Sequence, residues 1–181
     1  KKQSANAAIT SGNNTYQFDG ATFDIFESAS GAHVGTVQMD SNGRAQATLL
    51  PNTAYYLVET KAPAGYVPRR DRIAFTTGND GGQVAIDEQP GTINLRIVKL
   101  DAATNASPQA GSSLAGAEFT CVSQSTPGWA QILTTDESGQ ATPADVPLGT
   151  FTIYESKAPE GYLPSNDSWT CLLYTSPSPR D

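Results

Sequence analysis

The chain has 181 residues, with 18 Asp and Glu against 11 Lys and Arg, for a formal net charge of -7. That balance argues against nucleic acid and against an anionic membrane surface as partners. Apolar residues come in short runs broken by 16 Gly and 12 Pro, which points to strands and turns; no run approaches the ~18 residues of a membrane helix. The chain opens on Lys1 with no signal peptide ahead of it and is read as an interior fragment of a longer protein.

In chain order, the first clear element is the strand around Ala21, Phe23 and Ile25, whose alternation with polar residues has the period of two that a half-buried strand requires. Asp40-Ser41-Asn42-Gly43 reads as a turn between strands. Tyr55, Leu57 and Glu59 then share one face of a strand, which puts a carboxylate on a core face. Pro63-Ala64-Gly65 is the loop that follows, with Gly supplying a positive φ. Gly78-Asn79-Asp80-Gly81-Gly82 reads as a hairpin turn and not as a phosphate cradle. Val84 to Pro90 is the last strand of this set, and Glu88 has the parity of Val84 and Ile86.

After a Pro90-Gly91 joint the pattern begins again. Ile93, Leu95, Ile97 and Lys99 lie on one face, so an ammonium group sits among apolar side chains. Ala117, Phe119 and Cys121 repeat the face of Ala21, Phe23 and Ile25 at an offset of 116 − 20 = 96, counted from Gly116 and Gly20. Cys121 thereby fills a core slot held by Ile25 in the other copy and reads as a small buried hydrophobe. Asp136-Glu137-Ser138-Gly139 repeats the turn. Phe151, Ile153 and Glu155 repeat the strand with the inward carboxylate, and Pro159-Glu160-Gly161 repeats the loop. An isolated buried charge costs several kcal/mol, so such groups pair or neutralise. Lys99 and Glu155 are therefore expected to meet inside the second copy, provided no bulge shifts the parity. No segment shows a sustained helical period.

The last stretch, Cys171 to Asp181, turns abruptly to Ser-Pro-Ser-Pro-Arg where strand residues belong. It reads as the translation of a transposase-type sequencing adaptor, every codon fitting, and is set aside from fold reasoning. Cys171 is then not native, and no disulfide to Cys121 is inferred.

A period this long means tandem domains rather than a solenoid. The expected organisation is a first sandwich over residues 1–90, a second over 91–170 and a non-native tail over 171–181. The fold class is all-β: two tandem antiparallel β-sandwiches of about seven short strands each, the second truncated.

The residues that carry a family resemblance are Gly-Ala-x-Phe, Asp-x-x-Gly and above all Glu-Thr-Lys-Ala-Pro-x-Gly-Tyr at Glu59, with its second copy Glu-Ser-Lys-Ala-Pro-x-Gly-Tyr at Glu155. They resemble the collagen-adhesin B-type repeat, also the SpaA-like pilin module, a prealbumin-like sandwich of Gram-positive surface proteins. The resemblance covers nearly all of residues 1–170. It implies a spontaneous amide between a first-strand lysine and an Asn or Asp on the last strand, assisted by the glutamate of the box. By position Lys2 and Glu59 match in the first copy, and Lys99 and Glu155 in the second. The chemistry is sound: burial disfavours the charged forms, so a neutral amine can attack a neutral acid while the glutamate relays the proton, once per domain.

The chain departs from the pattern at the acceptor. In the second copy the acceptor strand would follow Thr170, where the adaptor-like run begins, so the acceptor is missing. In the first copy the family's Asn slot is Glu88. Asp87 has the expected chemistry but the wrong parity, and the preference falls on Asp87 with a bulge. A buried Lys–Glu pair without a covalent bond is the competing reading of the first copy.

Three functions follow. The leading one is a stalk or pilin-like spacer of a wall-attached, extracellular surface protein, whose partners are neighbouring modules of the same chain. The second is an adhesive module that recognises host matrix or glycan, with Trp129 as its candidate. The third is an enzyme elsewhere in the protein that carries these modules, although residues 1–170 show no catalytic site for turnover. No cofactor and no metal are expected. His33 stands in a turn-like, solvent-facing run without ligand-spaced neighbours, and Asp40 and Asp136 each stand nearly alone. Tyr16, Tyr55 and Tyr56 read as core or strand-face residues. Leu163-Pro164-Ser165-Asn166-Asp167 is a loop and not a sorting signal.

Overall fold

The computed structural model describes residues 1–106, 108–109 and 111–174 of the chain. These form two compact units, one made of residues 1–10 and 14–91, the other of residues 11–13 and 92 onward.

The first unit contains β1 (Lys2–Ser4), α1 (Ala7–Thr10), β2 (Thr22–Glu27), β3 (His33–Gln38), β4 (Ala54–Lys61), β5 (Ile73–Thr76) and β6 (Ile86–Glu88). Strands β3-β2-β4-β5 form an antiparallel sheet, and β1 pairs with β6. The inward residues of β2, Phe23 and Ile25, are buried together with Ala21, Tyr55, Leu57, Met39 and Ile86. The turn after β3 closes as expected: Asp40 Oδ1 accepts the N–H groups of Asn42 and Arg44, and Gly43 takes a φ of 66°. Gly65 takes a φ of 81°, and a Cβ there would stand 2.7 Å from the Thr15 carbonyl oxygen. Two features depart from the sequence expectation. The β1–β6 pair is parallel, with Lys2 opposite Ile86 and Ser4 opposite Glu88. The four-residue helix α1, capped by the Asn6 side chain at the Ala8 N–H, is too short to leave a helical period.

The second unit contains β7 (Thr92–Ile93), β8 (Ile97–Val98), β9 (Glu118–Ser123), β10 (Ala130–Thr134), β11 (Gln140–Ala141), β12 (Val146–Pro147), β13 (Gly149–Lys157) and β14 (Ser168–Leu173). Its main sheet is β10-β9-β13-β14, with small antiparallel pairs β8–β11 and β7–β12. The core is Ala117, Phe119, Cys121, Leu133, Val146, Phe151 and Ile153, against which Ile93, Leu95 and Ile97 pack. Strand β14 runs three residues into the stretch set aside from the sequence. Cys171 pairs opposite Phe151, and Cys171 and Leu173 pack against the core while Leu172 between them is exposed. Residues 175–181 of that stretch lie outside the described residues.

Candidate functional site

In the first unit the charged residues that break the strand pattern converge. Lys2 has 1% of its surface exposed and Glu88 also 1%, and the Glu59 side chain is equally enclosed. Strand β1 delivers Lys2: its backbone N–H donates to the Gly43 carbonyl at 2.7 Å, which locks the residue at the Asp40 turn. Strand β4 delivers Glu59 and β6 delivers Glu88. Lys2 Nζ donates to Glu59 Oε1 at 2.6 Å and lies 3.2 Å from Glu88 Oε1, with the Phe23 ring centroid 4.6 Å away. The amine is therefore held between two carboxyl groups inside the sandwich.

The two carboxyl groups differ. Glu59 is fixed at both oxygens, since the Arg69 backbone N–H donates to Oε2 at 2.6 Å. Glu88 Oε1 is buried without a hydrogen-bond partner, the nearby Lys2 lacking the alignment for one. Burial pushes the Glu88 carboxyl above its ordinary range and the charge of Glu59 adds to this, while Lys2 and Arg69 pull it back.

The bulge on which the preference for Asp87 as acceptor depended is not seen in this arrangement. Strand β6 pairs with β1 in unbroken register, so Asp87 keeps its outward parity; it is exposed, and Gln3 Nε2 donates to its Oδ1 at 2.6 Å. The bulge that would have turned it inward is absent from this pair. Glu88 is the carboxyl that faces Lys2.

The second unit builds the same frame in matching positions. The Lys99 N–H donates to the Gly139 carbonyl at 2.8 Å, and the Ser165 N–H donates to Glu155 Oε2 at 2.8 Å. Lys99 Nζ lies 3.2 Å from Glu155 Oε1, the meeting that parity anticipates. Here the amine is partly open, its side chain 15% exposed, and it borders an apolar groove of ≈ 490 Å³ lined by Leu95, Ile97, Phe119, Ile153, Trp169 and Cys171. Among the described residues the ion pairs of Lys99 go to Glu155 alone.

Two residues that matter were not singled out in the sequence. Arg69 holds Glu59 through its backbone, as above. Its guanidinium, anchored by Nη2 on the Asp87 carbonyl, brings Nε to 3.9 Å from Glu88 Oε1. In register it stands against Ser165, so the departure between copies was the available signal. Asp101 is buried and shares the parity of Lys99. Tyr162, the last residue of the box, donates its hydroxyl to Asp101 Oδ2 at 2.8 Å, and the Ala103 N–H donates to Oδ1 at 2.7 Å. The Tyr162 bond first, then the Ala103 bond, hold the Asp101 carboxyl below its usual range.

The remaining candidates take structural places. Trp129 packs edge-on to Phe151 with ring centroids 5.4 Å apart, as part of the second unit's core wall. Tyr16 and Tyr55 are buried; Tyr56 stacks on Phe26 and lies under the Arg72 guanidinium. His33 is half exposed at the start of β3, beside Asp24. Cys121 is buried, and burial with the nearby Cys171 raises its thiol to about 11. No cluster of His, Cys, Asp and Glu that could hold a metal occurs among the described residues. No helix among them is long and apolar enough to cross a membrane.

Comparison with known proteins bears on the family and the fold. The family model described as SpaA, a prealbumin-like fold domain, matches the chain twice, over residues 7–90 and 94–175. Among solved structures the chain is similar to the Bacillus anthracis TIE protein, with a TM-score of 0.63 and 24% identity, covering 95% of this chain and 30% of that one. It is also similar to the pilus adhesin SpaC of Lactobacillus rhamnosus GG, with a TM-score of 0.53 and 19% identity over 96% of this chain and 26% of that one. The chain thus spans about a third or less of these proteins, and at such identities the likeness is one of fold. No curated protein sequence matches it.

Proposed function

Because this chain belongs to the SpaA family of prealbumin-like fold domains, we propose that it is a spacer: tandem β-sandwich modules that bear load in a wall-attached surface adhesin or pilin-like protein and turn over no substrate. Its partners are the neighbouring modules of the same extracellular chain. The single observation that carries this reading is the enclosure of Lys2 between Glu59 and Glu88. A buried ion pair alone is a weak source of stability. The same three groups placed for one condensation are a strong one.

In the reacting form the neutral Lys2 amine faces the protonated Glu88 carboxyl. Nζ attacks Cδ, and a C–N bond forms as the carbonyl oxygen takes the electron pair. Glu59, held in place by the Arg69 N–H, accepts the proton from nitrogen and returns it to the departing hydroxyl. The C–O bond breaks, one water leaves and a secondary amide remains. Its two residues stand at the two ends of the first unit's sequence, so tension entering at β1 leaves at β6 without crossing the core.

Pulling the chain by its ends tests this reading. With the amide in place the first unit does not lengthen before the linkage breaks. The Lys2→Ala chain unfolds it and releases about 300 Å of contour, at ~3.5 Å per residue. Equal lengthening of both chains would refute the load-bearing amide.

A further inference from the structure

We infer that Arg69 is a catalytic residue for the first unit's amide, the donor that stabilises the oxyanion formed on Glu88; this rests on the reading above. Arg69 Nε is buried without a hydrogen-bond partner and lies 3.9 Å from Glu88 Oε1, an oxygen whose nearer neighbour is the Lys2 Nζ at 3.2 Å, out of line for a hydrogen bond. Leaving a buried donor such as Arg69 Nε unsatisfied is costly, and native structures rarely do it without a reason. The gap is too long for a hydrogen bond to the resting carboxyl. It suits an oxygen that moves and gains charge when Cδ becomes tetrahedral.

The guanidinium is not free to drift from this position. Its Nη2 donates to the Asp87 carbonyl, on the strand that carries Glu88, and its backbone N–H grips Glu59. One residue therefore addresses both carboxyl groups, with its main chain on the proton relay and its side chain on the electrophile. The second unit offers a contrast within the same molecule. Ser165 keeps the backbone bond to Glu155, but its hydroxyl turns to Asp167, and no guanidinium stands at the corresponding position.

The charge balance is closed. Attack by the neutral amine leaves a positive nitrogen and a negative Oε1 on one tetrahedral carbon. Arg69 stabilises the oxygen; Glu59 carries the nitrogen's proton to the hydroxyl that leaves as water. Arg69 ends as it began and gives up no proton, since a guanidinium stays charged in proteins.

The experiment is timed cell-free synthesis of the full chain, quenched in acid and read by intact mass for the loss of one water. Arg69→Ala, which keeps the backbone N–H on Glu59, is expected to slow the loss about a hundredfold, the usual effect of deleting one oxyanion donor. Arg69→Lys should retain part of the rate. Added ethylguanidinium should restore part of it to Arg69→Ala, which a purely structural role would not allow. Arg69→Gln serves as the second neutral variant if the alanine chain fails to fold. Water loss at the wild-type rate in a folded neutral variant would overturn the role. So would slow loss that neither ethylguanidinium nor Arg69→Lys improves. A wild-type chain that never loses water would remove the amide itself, and with it the role of Arg69.

Discussion

Lys2 and Glu88 come from opposite ends of the first unit's sequence, yet Nζ lies 3.2 Å from Oε1 because β1 and β6 run parallel. An antiparallel hairpin would tie neighbours in sequence. A parallel pair needs a crossover, and here the whole four-stranded sheet is that crossover. The cross-link proposed at this point therefore clamps the complete unit.

The acceptor can be identified by substitution. Glu88→Ala should abolish the one-water mass deficit of the full chain, whereas Asp87→Ala should retain it. Glu88→Gln should lose ammonia instead of water, because the departing group becomes the amide nitrogen. A deficit that follows Asp87 would contradict the geometry of β6.

Removing the amine exposes the cost of the buried acids. In Lys2→Ala no amide forms, and Glu88 keeps burial and Glu59 as the causes of its raised pKa but loses its nearest counter-charge. A carboxyl with a raised folded pKa binds its proton more tightly in the folded state. Its contribution is present below the ordinary carboxylate range and is lost as pH rises through the folded value. Urea unfolding of Lys2→Ala should therefore show a first unit more stable near pH ~5 than near pH ~8. A flat profile would deny that the fold raises the Glu88 pKa.

In the second unit Phe151 is fully buried on β13 and meets Trp129 edge-on. Phe151→Ala should destabilise this unit by about 3–5 kcal/mol, the range for deleting a core aromatic ring. Trp129 fluorescence during chemical unfolding reads the change directly, although Trp169 contributes to the signal.

Cys121 should behave as core rather than as a reagent. Its thiol is buried and raised to about 11, so the thiolate is scarce near neutrality. Ellman's reagent at about pH 8 should leave Cys121 unmodified in the folded chain and reach it in denaturant. Rapid labelling of the folded chain at Cys121 would place the residue wrongly.

Much of this was legible in the residues. The alternation of Phe23 with Ile25 and of Phe119 with Cys121 marked the inner faces, and those side chains are buried. Parity also anticipated that Lys99 and Glu155 would meet. It placed Glu88 inward, and the preference for Asp87 came from the chemistry of other family members overriding that parity. The parallel direction of β1 was not legible, since a three-residue strand carries no signal of its partner's direction. Arg69 was hidden because it acts from a loop through one backbone group and one side chain, and neither leaves a periodic trace. The Asp101–Tyr162 bond joins residues 61 apart, which no local pattern predicts.

The most direct test of the central claim is tandem mass spectrometry of the digested full chain, searched for a branched peptide joining Lys2 to Glu88. The expected result is an intact mass short by one water, a branched fragment through those two side chains, and loss of both on Lys2→Ala. A full-mass chain in which Lys2 and Glu88 are recovered on separate, unmodified peptides would contradict it and leave the first unit held by packing and buried ion pairs alone.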